Sequence, residues 1–518
     1  MSTAKSHSRA AALLVRASVF AGLLVAAASP VAALAQLPIS STSTNPDGGD
    51  PGDFAAVTQC NGAPQKGVLF RNSESEPHLA VNPTAPTNMI AGWHQDRWST
   101  GGAQSLGAAY TTDGGATWAP VQIPFTRCSG AAARTAGDYE RASDPWITFG
   151  PDGTAHYMAL VTDNTVSENG MVVARSTDGG ATWSPPLVIA RSPAQDANSR
   201  SLFHDKNTIT ADPLDARFAY ATWTVFRTGI VSLVFSRSTN GGLTWSPPRS
   251  IATMGAVTPG EQATFRQGAQ IVVLPNGTLL NAFYRIIFDN RTAQARLEQA
   301  VLRSTDQGRI WTRVDTPVAT LQQKFAVDPE APFIPVRDAG ALPSVAASPV
   351  ANRAYIAWQS TNSQGGVGVY VSVSKDGGGS WETPTRVNQG TTDAVQAFLP
   401  TVAVNQEGIV GVLFYDFRND VLGDQPLSTD VHLSLFDADL NYLGERRLTP
   451  QSFDMRMSAL SVRGYFPGDY MGLSSALNDF VAAFTTTNNV GARAAWPPAV
   501  EGVDSRDRQS IVFVRQTP

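Results

Sequence analysis

The chain has 518 residues, of which 16% are charged, a formal net charge of −5, and only two cysteines. Nucleic-acid binding needs clustered Lys and Arg, and no such cluster is visible; the cysteine count likewise excludes a disulfide-dense miniprotein or a Cys-rich zinc fold. The 44 glycines and 34 prolines punctuate a sequence rich in Val, Thr, Phe, Tyr and Trp, a composition of short strands and turns that predicts a nearly all-β protein.

Residues 1–35 read as a secretory signal peptide. Lys5, Arg9 and Arg16 form a basic start, residues 17–28 are apolar, and Ala33-Leu34-Ala35 offers a small-x-small cleavage site. Pro30 cuts the apolar run short of the ~20 residues that span a bilayer, so no membrane span is expected and the location is secreted or periplasmic. Residues 36–66, rich in Ser, Thr, Pro, Gly and Asp, are expected to be a flexible leader, and residues 67–518 a single domain. Cys60 and Cys128 either pair in an oxidising compartment or stay as two free thiols.

One octapeptide then recurs: TTDGGATW (111–118), STDGGATW (176–183), STNGGLTW (238–245), STDQGRIW (304–311) and SKDGGGSW (374–381). The tryptophans lie 62–70 residues apart, a period that signals a solenoid or propeller. Around the second copy, SDPWITFGPDGTAHYMAL supplies a strand, a Pro-Asp-Gly turn and a second strand. GMVVARSTDGGATW adds a third strand and the box, and LVIAR a fourth. Four antiparallel strands per unit make one blade of a β-propeller. Two later units, beginning at FLPTVAV and GDYMGL, keep the plan without a clear box. Seven blades are favoured and six are the alternative. The last unit ends after its third strand, so GVLFR (67–71) is expected to add the outer strand and close the ring.

Within each box, Asp113, Asp178, Asn240, Asp306 and Asp376 are read as structural acceptors capping their own turn, followed by glycines that take positive φ and a tryptophan that plugs the space between blades. The pattern S/T-x-D-x-G-x-T/S-W resembles the Asp-box, or BNR repeat, of the sialidase superfamily. That resemblance implies a propeller whose site lies on the axial face opposite the boxes. It also implies an exo-α-sialidase-like glycoside hydrolase acting on terminal sugars. A non-catalytic propeller that binds glycan or protein on the same face is the alternative, and whether the chain is an enzyme stays open at this stage.

In a propeller the active face is built by residues leading into each first strand and by the loops between second and third strands. Glu76, Asp144, Asp205 with Lys206, Gln267, Asp338 and Asp469 with Tyr470 occupy the lead-in positions. The loops bring WHQDRW (93–98), Arg227, Tyr284 with Arg285, and FYDFRND (414–420). An acidic, aromatic face with interspersed arginines suits a polar, partly anionic sugar. The sialidase resemblance implies three arginines around a substrate carboxylate, a tyrosine nucleophile with a glutamate base, and an aspartic acid as acid/base. Arg97, Arg285 and Arg418 are the candidate clamp, Asp96 the candidate acid/base, and Tyr415 or Tyr470 the candidate nucleophile, with Glu261 or Glu330 as its base. Glu76, His94, Asp144, Asp205, Asp416 and Asp469 are expected to bind substrate. The chain departs from the family's first-blade F/Y-R-I-P motif, because SEPHL places Ser75 and Glu76 where the arginine and isoleucine belong. No protease, lipase, P-loop or metal motif is present. No metal ligand is therefore assigned and no cofactor expected, a calcium ion on the acidic lead-in residues being the one exception the chemistry admits. The expected partner is a glycan or glycoconjugate, bound by a monomer.

Overall fold

The computed structural model describes residues 36–40, 42–43, 45, 53–163, 168–192, 202–254, 262–289, 292, 294–337 and 340–518. The expected signal peptide lies outside them. The described chain is almost wholly strand, with one short helix, Phe54–Val57, and two 3-10 turns. Among the described residues no helix is long and apolar enough to cross a membrane.

Pairing is antiparallel within successive four-stranded units. The first comprises Ser75–Val81, Met89–Trp98, Ala103–Thr111 and Ala119–Gln122; the second Arg141–Phe149, Ala155–Asp163, Glu168–Ser176 and Leu187–Arg191. The plan repeats in the units that begin with Leu202–Ala211, Gln262–Val273, Ser344–Ala347 and Ala397–Val404. The last unit runs Gly472–Ala476, Asp479–Thr487, Gln509–Gln516, with Leu37–Pro38 as its outer strand. First strands of consecutive units are neighbours, and Gly472–Ala476 returns against Ser75–Val81, so the inner strands form a closed ring.

The ring is held by apolar layers between units. Ile90, Leu106 and Ala108 of the first unit meet Tyr157, Ala159 and Val172 of the second. At the seam, Leu79, Met89 and Trp93 of the first unit meet Val481, Ile511 and Phe513 of the last. Each sheet is thus buried on both faces by its neighbours, and closing the ring turns the short inner edges toward the axis.

GVLFR does not supply the last outer strand. Gly67–Phe70 instead pairs in parallel with Glu501–Asp504 and antiparallel with the end of Met89–Trp98. Leu69 packs with Val57 and Trp98 in a small separate core, and an outer strand would have left such side chains exposed. The described part of the expected leader is also structured. Asp53 caps Phe54–Val57 through Oδ1, which accepts from the amides of Ala55 and Ala56. Cys60 is disulfide-bonded to Cys128, which leaves no free cysteine.

The boxes have one geometry. Asp178 Oδ1 accepts from Thr182 N–H at 2.9 Å and Oδ2 from the Thr182 hydroxyl, while Ser176 Oγ accepts from Gly180 N–H. Asn240 does the same through its amide, with Oδ1 accepting from Thr244 N–H and Nδ2 donating to Thr244 Oγ1. The second glycine of a box has a further duty: a Cβ on Gly180 would stand 2.7 Å from Ile90 of the preceding unit, one on Gly308 2.3 Å from Phe235, and one on Gly115 2.2 Å from Phe513 across the seam. The box turn leans on its neighbour because it lacks a side chain there.

Candidate active site

The site begins with a repeated irregularity. The first strands slip register between Ser75 and His78, Ser143 and Trp146, Asp205 and Thr208, Gln267 and Gln270, and Phe398 and Thr401. At each slip one residue is left-handed: Glu76 (φ 54°), Asp144 (53°), Lys206 (54°), Gly268 (72°) and Leu399 (55°). Pro77, Pro145 and Pro400 follow three of them, where the missing N–H costs no ladder bond. A bulge re-aims its side chain, and holding a non-glycine residue at positive φ costs ~1–3 kcal/mol, a strain that clusters at functional sites. Three of these positions carry an ionisable side chain.

Those side chains converge. Lys206 Nζ donates to Asp469 Oδ2 at 2.5 Å and lies 3.6 Å from Asp144 Oδ2. Arg337 donates to the same Asp469 oxygen at 3.3 Å. Burial alone would raise the Asp469 pKa, but Arg337 and Lys206 outweigh it and hold this carboxylate well below the usual range. Asp469 Oδ1 is buried without a hydrogen-bond partner among the described residues.

Asp469 N–H donates to Glu76 Oε1 at 3.2 Å. Glu76 Oε2 lies 3.0 Å from His94 Nε2, a nitrogen that already accepts the Asp144 N–H at 3.1 Å. Glu76 Oε2 makes no hydrogen bond among the described residues, and its buried carboxyl is favoured in the neutral, protonated form. Its pKa is pushed up to about 8, by burial first and by Asp144 and Asp469 against the opposing pull of Lys206. His94 is held well below its ordinary value, by burial and then by Arg97 and Lys206. A carboxyl raised from 4.5 to about 8 on folding contributes stability below 4.5 that is lost as pH rises through about 8. The wild type should therefore lose more thermal stability than Glu76→Gln between about pH 5 and about pH 9; parallel melting curves would contradict this assignment.

Asp205 stands beside this group, half-buried. Burial, with Asp144 and Asp469 pushing up and Lys206 pulling down, places its pKa at about 6. Its Oδ2 accepts from Gln267 Nε2 at 3.0 Å, and Gln267 Oε1 accepts the Tyr284 hydroxyl at 2.5 Å. Two cavities meet here, one of about 620 Å³ and one of about 260 Å³, and Asp205, Lys206, Arg337 and Asp469 line both.

Glu76, His94 and Asp144 each place a ligand atom within 4.8 Å of the others. They suit calcium poorly, which takes 6–8 oxygen ligands: the histidine lone pair already accepts the Asp144 N–H, and Lys206 supplies positive charge beside Asp144.

The residues expected from sequence divide sharply. Glu76, His94, Asp144, Asp205 and Asp469 come together, and Arg97 joins them in the lining of the smaller cavity, its guanidinium 3.9 Å above the Phe466 ring. The three-arginine clamp does not assemble. Arg285 is paired with Glu298 and Asp315, and Arg418 with Asp416 and Glu445, each tied into its own sheet. Asp96 is fully buried and holds the N-terminal segment, accepting from Ser43 Oγ, Asn45 Nδ2 and Asn72 N–H. Tyr415 is in the core, its hydroxyl donating to Thr485 O. Tyr470 lies against Trp146 and donates to Pro145 O. Glu330 bonds Arg456 and the Gly423 amide, and Glu261 and Asp338 lie outside the described residues. Arg337, Arg463, Phe325 and Trp496 line the larger cavity and had no signal in the sequence, since they sit in irregular segments outside the repeat.

No protein-family model and no curated protein matches the chain. Solved structures similar to it include an α-L-arabinanase of Penicillium chrysogenum complexed with arabinobiose, at 15% identity and a TM-score of 0.42 over 73% of this chain and 95% of that one. A GH93 α-L-arabinofuranosidase of Fusarium graminearum with arabinobiose matches at 13% and 0.39, over 72% and 92%. A sialidase of Trypanosoma rangeli in complex with 2,3-difluorosialic acid matches at 17% and 0.37, over 73% and 54%. The structural neighbours thus include glycan-active enzymes of more than one kind, with a sialidase as one among them.

Proposed function

We propose that this chain is an exported, seven-bladed β-propeller glycoside hydrolase that acts on glycans at the axial face, sialidase-like in its Asp-boxes but without the superfamily's arginine clamp. The closed ring of inner strands supports the blade count, and the signal-like start with the Cys60–Cys128 disulfide supports export to an oxidising compartment. What carries the catalytic reading is that two carboxyls lining both cavities sit in opposed settings: Asp469 is paired with Lys206 and Arg337, which hold it well below the usual range, while Asp205 Oδ2 accepts from the neutral Gln267 amide and burial pushes this acid up to about 6. Environments that push a pair apart assign an acid and an anion. Asp205 protonates the leaving oxygen, and Asp469, held as the anion by Lys206 and Arg337, attacks the anomeric carbon. Gln267 and Tyr284 position the acid.

A second reading, a glycan-binding propeller without catalysis, draws on the fact that Lys206 already engages both Asp144 and Asp469. Release of the aglycone from a panel of aryl glycosides, sialosides included, separates the two. The hydrolase reading expects turnover on at least one member and a loss of ~10²–10⁴-fold in Asp205→Asn. No turnover on any member would leave the binding reading.

A further inference from the structure

Resting on the hydrolase reading, we infer that the site cuts within a glycan chain rather than at its end, because the reacting groups line two cavities rather than one. A pocket for a terminal sugar places its acid and its anion near a closed end, with one subsite beyond them. Here Asp205 and Asp469 belong to the linings of both cavities, and space continues on either side.

The two sides differ. The larger, at about 620 Å³, falls in the range of ≈300–1,000 Å³ that houses a multi-ring ligand. It is walled by Phe226, Tyr284, Phe325 and Trp496, apolar faces on which sugar rings stack. Phe325 is 37% exposed, so the wall opens to solvent and a chain can leave over it. The smaller, about 260 Å³, is lined by Arg141, Gly101 and Gly102 and by Phe203, 42% exposed. Each cavity has a partly exposed aromatic in its lining, and the acid and the anion belong to both linings, as a cleft occupied on both sides of the scissile bond requires.

The step balances with water as the only co-reactant. The anomeric carbon forms a bond to the Asp469 carboxylate as its bond to the interglycosidic oxygen breaks, and that oxygen leaves on the other half of the chain with the Asp205 proton. Water, giving its proton to Asp205, then displaces Asp469. Each cycle converts one internal linkage into one new reducing end and one new non-reducing end.

The test uses the full chain with linear arabinan, xylan, galactan and polygalacturonate as defined probes, and reads two quantities. The first is the fall in viscosity per reducing end released. Internal cutting predicts a steep fall at the first few per cent of bonds broken and oligosaccharides of mixed length. Steady release of a single mono- or disaccharide with viscosity preserved overturns the inference while leaving the hydrolase reading intact. The second is the affinity of Asp469→Asn for oligosaccharides of increasing length from the same polymers, read by calorimetry. Occupation of both lobes predicts an affinity that rises at least ten-fold beyond the first two sugars. Phe203→Ala and Phe325→Ala should each lower it at least three-fold for long chains and leave the disaccharide unchanged in one of the two. Length-dependent binding with no cleavage on any probe would fail the hydrolase reading and with it the cutting, whereas affinity that saturates at one or two sugars, or no binding to any probe, overturns the two-sided cleft.

Discussion

Asp469→Asn should lower kcat by ~10³-fold or more, since an amide can neither form the glycosyl ester nor carry the charge that the site is built around. The same change removes the anion shared by Lys206 and Arg337. Breaking a buried pair by deleting one partner costs ~3–5 kcal/mol, so lost activity alone would not separate chemistry from folding. Lys206→Met in the same chain supplies the control. With the stranded ammonium gone, the double variant should recover much of the lost stability in urea while its turnover stays at the Asp469→Asn level. Recovery of turnover together with stability would show that Asp469 only anchors Lys206 and would remove it from the catalytic pair.

Gly115→Ala should destabilise the ring by ~3 kcal/mol or more, against ~1 kcal/mol for Gly229→Ala. Both glycines have positive φ, 96° and 73°, so both variants pay the same kind of backbone cost. Only the first meets another side chain. Its Cβ would stand 2.2 Å from Phe513 in the seam between first and last units, whereas nothing lies within 4 Å of a Cβ on Gly229. The difference between the two variants in denaturant midpoint therefore isolates seam contact from backbone strain. Equal losses would mean that Phe513 yields without cost and that the box glycine serves its turn alone.

The architecture was legible from the octapeptide repeat because a box needs particular atoms at particular places. An acceptor at Asp178, a hydroxyl at Ser176 and a side-chain-free Gly180 each answer a local demand of the turn, so the pattern survives in the sequence five times. The lead-in positions were legible for the same reason: Glu76, Asp144, Asp205 and Asp469 all lie where their units enter the first strand, Asp205 one residue before the left-handed position that Glu76 and Asp144 hold, and the structure gathers them. The arginine clamp was read from loop composition alone, which does not say whether a guanidinium faces the axis or an acid in its own sheet. Arg285 and Arg418 had Glu298, Asp315, Asp416 and Glu445 within reach, and pairing there is cheaper than waiting unpaired for a ligand. The bulges were hinted at by Pro77, Pro145 and Pro400, each one residue past the left-handed position. Arg337 and Trp496 come from segments without repeat or period, where only tertiary contacts decide the path.

The most direct measurement of the central claim is the pH dependence of kcat/KM for the wild type and Asp205→Asn on one substrate that the wild type turns over. Asp205 must be protonated to act as acid, and its pKa of about 6 means that the active form is lost as pH rises through that value. The account predicts an alkaline limb near pH 6 in the wild type and a flat response through the same window in Asp205→Asn. A limb that persists unchanged in the variant would contradict the assignment of Asp205 as the acid.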